Sequence, residues 1–236
     1  MKHLLLILFM LVAAAIRADD TVAVRQLHEA VRWYDREDYA KGLDLLQQAL
    51  TNSTSLTEPT RALLHYNSGV GHYRLSRPEE AARSFQAALR TTDLDVQRRT
   101  YFNLGNTRHQ MARQALDEGD IVNAFKGFQA AQTNYMAALR LDPTDRDAKV
   151  NVELSILGQQ RILELVAMAM MRLEQGATMV DSYRFIEAAR WFQDQMPVMT
   201  KALELEPEKK KALETMAERT AGVAEILVTP PEGAMP

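Results

Sequence analysis

The chain has 236 residues, 47% of them hydrophobic and 25% charged, which is ordinary usage for a globular protein of one or two domains. A net charge of −3 with no dominant basic patch argues against a nucleic-acid partner. The absence of cysteine excludes disulfides, thiol catalysis and cysteine-based zinc sites. Glycine and proline are sparse while alanine, leucine, glutamate, glutamine and arginine dominate, so an all-α fold is predicted.

Residues 1–18 have the pattern of a secretory signal peptide. Lys2 and His3 precede an apolar run of 13 residues over 4–16, which is short for a membrane span. Small residues then allow cleavage after Ala15 or Ala18. We therefore predict export, to the periplasm in a bacterium, and no transmembrane span in the mature chain. An uncleaved anchor helix is the alternative.

Amphipathic helices in pairs fill a predicted domain over 19–228. The clearest pair covers 62–75 and 79–90, where Ala81, Phe85 and Ala88 share one face at i, i+4 and i+7. In the last pair, the first helix is predicted to end near Gly176, and Pro197 should kink the second. The predicted units are about 23–56, 62–95, 98–144 and 146–207, followed by a capping helix over 208–227 and a disordered tail over 229–236.

These pairs resemble the tetratricopeptide repeat (TPR), a helix–turn–helix unit of 34 residues. In the second unit, Gly69, Ala81 and Ala88 match the small residues that let the two helices of a repeat approach closely, and Phe85 matches a large packing residue. In the first unit the resemblance gives Trp33 a packing place. It implies a TPR-type α-solenoid in which the first helix of each unit lines a concave, partner-binding groove.

The third unit departs from the family length. Gly105 and Ala138 are 33 residues apart, whereas Gly69 and Ala88, which match the same places in the repeat, are 19 apart. The turn signal at Gly119 comes late by half of this excess, so both helices are predicted to be lengthened by about two turns. We expect elongated third and fourth hairpins, with the third projecting beyond its neighbours.

Two stretches, HYNSGVGHY at 65–73 and YFNLGNTRH at 101–109, spell the same phrase around an asparagine. Asn67, Asn103 and Asn151 match a place in the TPR first helix where the family's asparagine binds the backbone of an extended peptide, since an amide both donates and accepts hydrogen bonds. The alternative is that they tie neighbouring repeats together. The resemblance adds these groove residues: Tyr66, Tyr73, Arg74, Phe102, Asn106 and His109. The cationic clamp of chaperone-binding relatives is missing.

Other chemistry is weakly supported. His65 and His72 are seven residues apart on one helix, but no third ligand has metal-site spacing, so both are predicted to pack in the core. A methionine cluster at Met168, Met170, Met171 and Met179 suits Cu(I), although methionine more often fills irregular cores. No phosphate loop, nucleophile elbow or carboxylate pair is present, so we expect no enzyme, cofactor or metal.

YFNLGN and ALRLDPTDRDAKVNVEL, within 101–154, resemble the exported TPR proteins of bacterial Bat aerotolerance operons. That resemblance implies a periplasmic scaffold whose partner is a membrane protein with a von Willebrand A domain, in a complex tied to envelope or oxidative stress. Two alternatives stay open: a structural protein that organises peptidoglycan or outer-membrane machinery, and a metallochaperone that uses the methionine cluster.

Overall fold

The computed structural model describes residues 20–53 and 55–228, and these are helical apart from short connections, with no strand among them. The all-α prediction is therefore confirmed for this part of the chain. The predicted signal peptide and the predicted C-terminal tail lie outside the described residues.

Nine α-helices follow one another along the described chain. Their bounds are α1 20–34, α2 Tyr39–Asn52, α3 Glu58–Arg74, α4 Pro78–Ala88, α5 Leu94–Glu118, α6 Ile121–Leu141, α7 Arg146–Asp181, α8 Phe185–Ala202 and α9 Pro207–Val228, with a 3₁₀ turn at Leu203–Leu205 between the last two.

Local sequence explains where several helices begin. The Asp38 carboxylate accepts a hydrogen bond from the Lys41 amide (3.1 Å) and caps α2. Asp145 caps α7 in the same way through the Ala148 amide (2.9 Å). Pro78 occupies the first turn of α4, where no N–H is needed. Gly119 has a φ of 79° between α5 and α6, a left-handed conformation that glycine adopts without strain.

The third pair is longer than the second. Helices α5 and α6 have 25 and 21 residues, whereas α3 and α4 have 17 and 11. Helix α7, with 36 residues, is longer still. It runs on past Gly176, so the predicted helix end at that glycine is wrong.

The chain forms two compact units, each larger than one of the predicted repeats, and their boundaries fall inside helices. From here on, first and second unit mean these two compact units. Among the described residues, the first unit comprises those up to Met111 together with Gly127–Ile156, and the second comprises Ala112–Lys126 and those from Leu157 onward. In the first unit, α1, α2 and the start of α3 share a core that includes Leu27, Leu46 and Leu64. Phe85 of α4 and Leu104 of α5 belong to a second cluster there.

The second unit has its own core, built on α7 and α8. Phe192 is 1% exposed and packs with Leu173, Ala188 and Leu213. Gly176 lies against this ring, since a methyl group on its Cα would come within 2.6 Å of Phe192 Cε1. The α5–α6 turn also belongs to this unit, where Gly119 lies beside Lys201 of α8. The turn of the hairpin that was predicted to project beyond its neighbours therefore lies against α8.

Candidate partner-binding site on the first helices

Polar contacts within the first unit join α1 to α3, α3 to α5 and α5 to α7. Tyr34 of α1 donates its hydroxyl proton to the Asn67 carbonyl oxygen of α3 (3.1 Å). Asn103 of α5 donates from Nδ2 to the Tyr66 hydroxyl of α3 (3.0 Å). Asn151 of α7 donates from Nδ2 to Asn106 Oδ1 of α5 (3.3 Å). The three predicted asparagines, Asn67, Asn103 and Asn151, are called the asparagine row below.

Each amide of the asparagine row uses one of its two N–H donors within the protein. Asn67 donates from Nδ2 to the Leu63 carbonyl of its own helix (2.8 Å), and the other two donate across helices as described. All three side chains are half-buried, and no group in the described part of the chain donates to their Oδ1 atoms. Asn103 and Asn151 thus each bond to a neighbouring odd-numbered helix, and each row member keeps a free acceptor.

Aromatic rings pack around the asparagine row and are held in place by their neighbours. The Tyr66 ring lies 6.0 Å from the Phe85 ring. The Arg99 guanidinium lies 5.3 Å from the centroid of the Tyr66 ring. Phe102 meets Tyr135 edge to face at 5.9 Å. The Tyr135 hydroxyl donates to Asn106 Oδ1 (2.8 Å), so this single oxygen accepts from both α6 and α7.

The hydroxyls of Tyr66 and Tyr135 stay protonated at neutral pH. Burial raises the pKa of Tyr66, against a smaller opposing effect of the Arg99 charge. Burial also raises the pKa of Tyr135. These uncharged hydroxyls, with the amides beside them, offer neutral hydrogen-bonding groups on this surface.

The structure does not bring all predicted groove residues together. Tyr66 and Asn103 meet, as do Asn106 and Asn151. Tyr73 is half-buried against the cluster around Phe85, and Arg74 is exposed at the end of α3. His109 packs edge to face on Phe128 of its own hairpin (5.2 Å).

Three residues that form these contacts were not predicted from the sequence: Tyr34, Arg99 and Tyr135. Tyr135 could have been found, because it precedes Ala138 by three residues, as Phe85 precedes Ala88. The predicted packing residue Trp33 instead lies under Lys41, whose Nζ is 4.5 Å from the ring centroid. Tyr34 packs inward in its place, against Gly42 and Gly71.

The two predicted core histidines line an open cleft instead. His65 and His72 are half-buried beside Lys41 and Asp44 of α2, in a cleft of about 620 Å³. Burial is the main cause that lowers the pKa of both imidazoles. No group of three acidic or histidine side chains suited to a metal ion occurs among the described residues.

The methionine cluster is divided between core and solvent. Met170 and Met179 pack against the core of the second unit. Met168 and Met171 are exposed. Their sulfur atoms therefore do not share one environment that could enclose a copper ion.

Comparison with known proteins gives no assignment, since neither a protein-family model nor a curated protein matches this chain. Within the described residues, no helix combines the length and apolarity needed to cross a membrane.

Proposed function

We propose that this chain is an exported, non-enzymatic TPR scaffold that binds an extended segment of a partner protein along the asparagine row. The observation that carries the proposal is the state of the three amides. Each engages one N–H donor in an internal hydrogen bond and leaves its acceptor free at a half-buried position.

The physical argument concerns pre-organisation. An extended peptide presents backbone N–H groups regardless of its sequence, and a fixed acceptor binds one with little loss of side-chain entropy. Asn103 is held by Tyr66, and Asn151 is held by Asn106, which Tyr135 holds in turn. Such a surface reads the backbone through the amides and apolar side chains through the neighbouring rings.

The partner class follows from the Bat resemblance over 101–154. We propose a membrane protein with a von Willebrand A domain, met on the periplasmic side after removal of residues 1–18. Asn103, Asn106 and Asn151 all lie within the stretch that carries this resemblance, so the same residues support both the mode of binding and the partner.

A photo-crosslinking experiment in cells tests the proposal. A benzophenone amino acid is placed at Arg74, which is exposed at the end of α3, and as a matched control at Arg83, which is exposed on α4. We expect the Arg74 probe to capture a protein with a von Willebrand A domain and the Arg83 probe to capture none.

Two variants separate binding from structure. Asn103→Ala removes both the tie to Tyr66 and the free acceptor, whereas Tyr66→Phe removes the tie alone. We expect capture to be lost in Asn103→Ala and only weakened in Tyr66→Phe, which releases the Asn103 side chain but keeps its acceptor, with circular dichroism showing that both fold. Equal loss in the two variants, or equal capture from Arg74 and Arg83, would show that the asparagines are only structural.

A further inference from the structure

An exposed stripe with coiled-coil spacing runs along the part of α7 that belongs to the second unit. Its members are Leu157, Arg161, Glu164 and Met168, separated by four, three and four residues. Leu157 is 57% exposed and Met168 is 47% exposed, so one helix face leaves two large apolar side chains open to solvent. Spacing of this kind is that of a seam between two helices.

The stripe is distinct from the face that α7 buries. The buried residues of the same segment are Ile162, Val166, Ala169 and Leu173. At 3.6 residues per turn the stripe spans an arc of about 60°, centred about 140° from those buried residues. The stripe therefore faces away from the core of its own unit.

The two charges in the stripe are self-complementary. Arg161 and Glu164 are both exposed, and neither forms an ion pair within the described residues. The midpoint between Arg161 and Glu164 lies between Ile162 and Leu163, and so does the midpoint between Leu157 and Met168. In an antiparallel copy of the same stripe, Arg161 therefore faces Glu164 and Leu157 faces Met168.

We propose that this stripe binds a second copy of the chain, with α7 antiparallel to α7 about a two-fold axis between Ile162 and Leu163. Arg161 then pairs with the partner subunit's Glu164, and Leu157 packs on the partner subunit's Met168. The apolar contact at each end shields the two central ion pairs. A closed two-fold interface of this kind uses one patch twice.

Charge complementarity favours a second copy in this orientation. A parallel pairing would set Arg161 against the partner subunit's Arg161 and Glu164 against the partner subunit's Glu164, which repels at both positions. The stripe spans only about 16 Å, so the interface is small and we expect dissociation in the micromolar range. The proposal does not depend on the asparagine row, which lies in the first unit.

Charge reversal tests the pairing by sedimentation velocity up to about 100 µM. Arg161→Glu and Glu164→Arg should each raise the dimer Kd about tenfold or more, since each turns two attractions into two repulsions. The double variant should regain the wild-type Kd because its charges again pair between copies. Arg190→Glu, an exposed arginine on α8 away from the stripe, should leave the Kd unchanged.

Disulfide trapping tests the orientation, because the chain has no cysteine of its own. The variant Leu157→Cys with Met168→Cys should form a covalent dimer on mild oxidation. Positions 157 and 168 are about 16 Å apart on one helix, too far to bridge within a chain. Each single variant alone should form no covalent dimer, whereas an equimolar mixture of the two should crosslink.

The proposal is overturned if wild-type protein stays monomeric throughout this concentration range, which is also the result expected if a different protein covers the stripe. It is likewise overturned if the double charge reversal fails to restore the dimer. Self-crosslinking of a single-cysteine variant as readily as the double variant would rule out the antiparallel arrangement.

Discussion

The substitution Gly105→Ala tests whether close approach of α5 to the Tyr135 ring holds the third pair together. A methyl group at this position would lie 2.6 Å from Tyr135 Cε1 and 2.7 Å from Cδ1, whereas carbon atoms normally approach to about 3.5 Å or more. The ring is 2% exposed and its hydroxyl is bound to Asn106, so it cannot move without losing packing and that hydrogen bond.

The expected magnitude follows from three opposing effects. Overpacking costs about 1–3 kcal/mol, and the strained hydrogen bond costs about 1 kcal/mol more. Replacing glycine by alanine within a helix returns about 1 kcal/mol. We therefore expect the free energy of unfolding of the first unit to fall by about 2 kcal/mol.

Urea denaturation measures this effect, and the chain offers a matched control. Trp33 reports on the first unit once Trp191 of the second unit is replaced by Phe, since the chain has two tryptophans. Gly222→Ala in the second unit, where an added methyl would meet nothing within 4 Å, should gain up to about 1 kcal/mol instead, read from Trp191 with Trp33 replaced by Phe. If Gly105→Ala proves as stable as the wild type, the close contact with Tyr135 does not limit packing and the reasoning fails.

Three further predictions concern other parts of the structure. Burial lowers the folded-state pKa of His65 and His72, so the unfolded chain binds more protons than the folded one. The free energy of unfolding should therefore fall as pH drops below about 6.5. His72→Gln should reduce this pH dependence, as measured by urea titrations at several pH values. Phe192→Ala should destabilise the second unit by about 3–5 kcal/mol in thermal denaturation, with little effect on the first. Tyr34→Phe should cost about 1 kcal/mol of unfolding free energy by losing the bond to the Asn67 carbonyl, and an unchanged urea midpoint would count against that bond.

Helices and turns were predictable because their signals are local. The apolar spacing around Phe85 predicted α4, Pro78 lies at its start, and Gly119 lies at the turn between the lengthened α5 and α6. Each of these signals comes from residues within about two turns of one another, where the 3.6-residue period and backbone sterics decide. The asparagines were singled out in the same way, from a phrase repeated along the chain.

By itself, then, the sequence determined that the described part of the chain is all-helical, since periodicity and turn residues act within a few positions. Only the tertiary structure decided what those helices contact. The bond from Tyr34 to Asn67 spans 33 residues and that from Asn151 to Asn106 spans 45. The tertiary structure also decided that Tyr34, and not Trp33, packs inward. Adjacent residues on a helix point about 100° apart, so the position of the neighbouring helix determines which of the two side chains is buried.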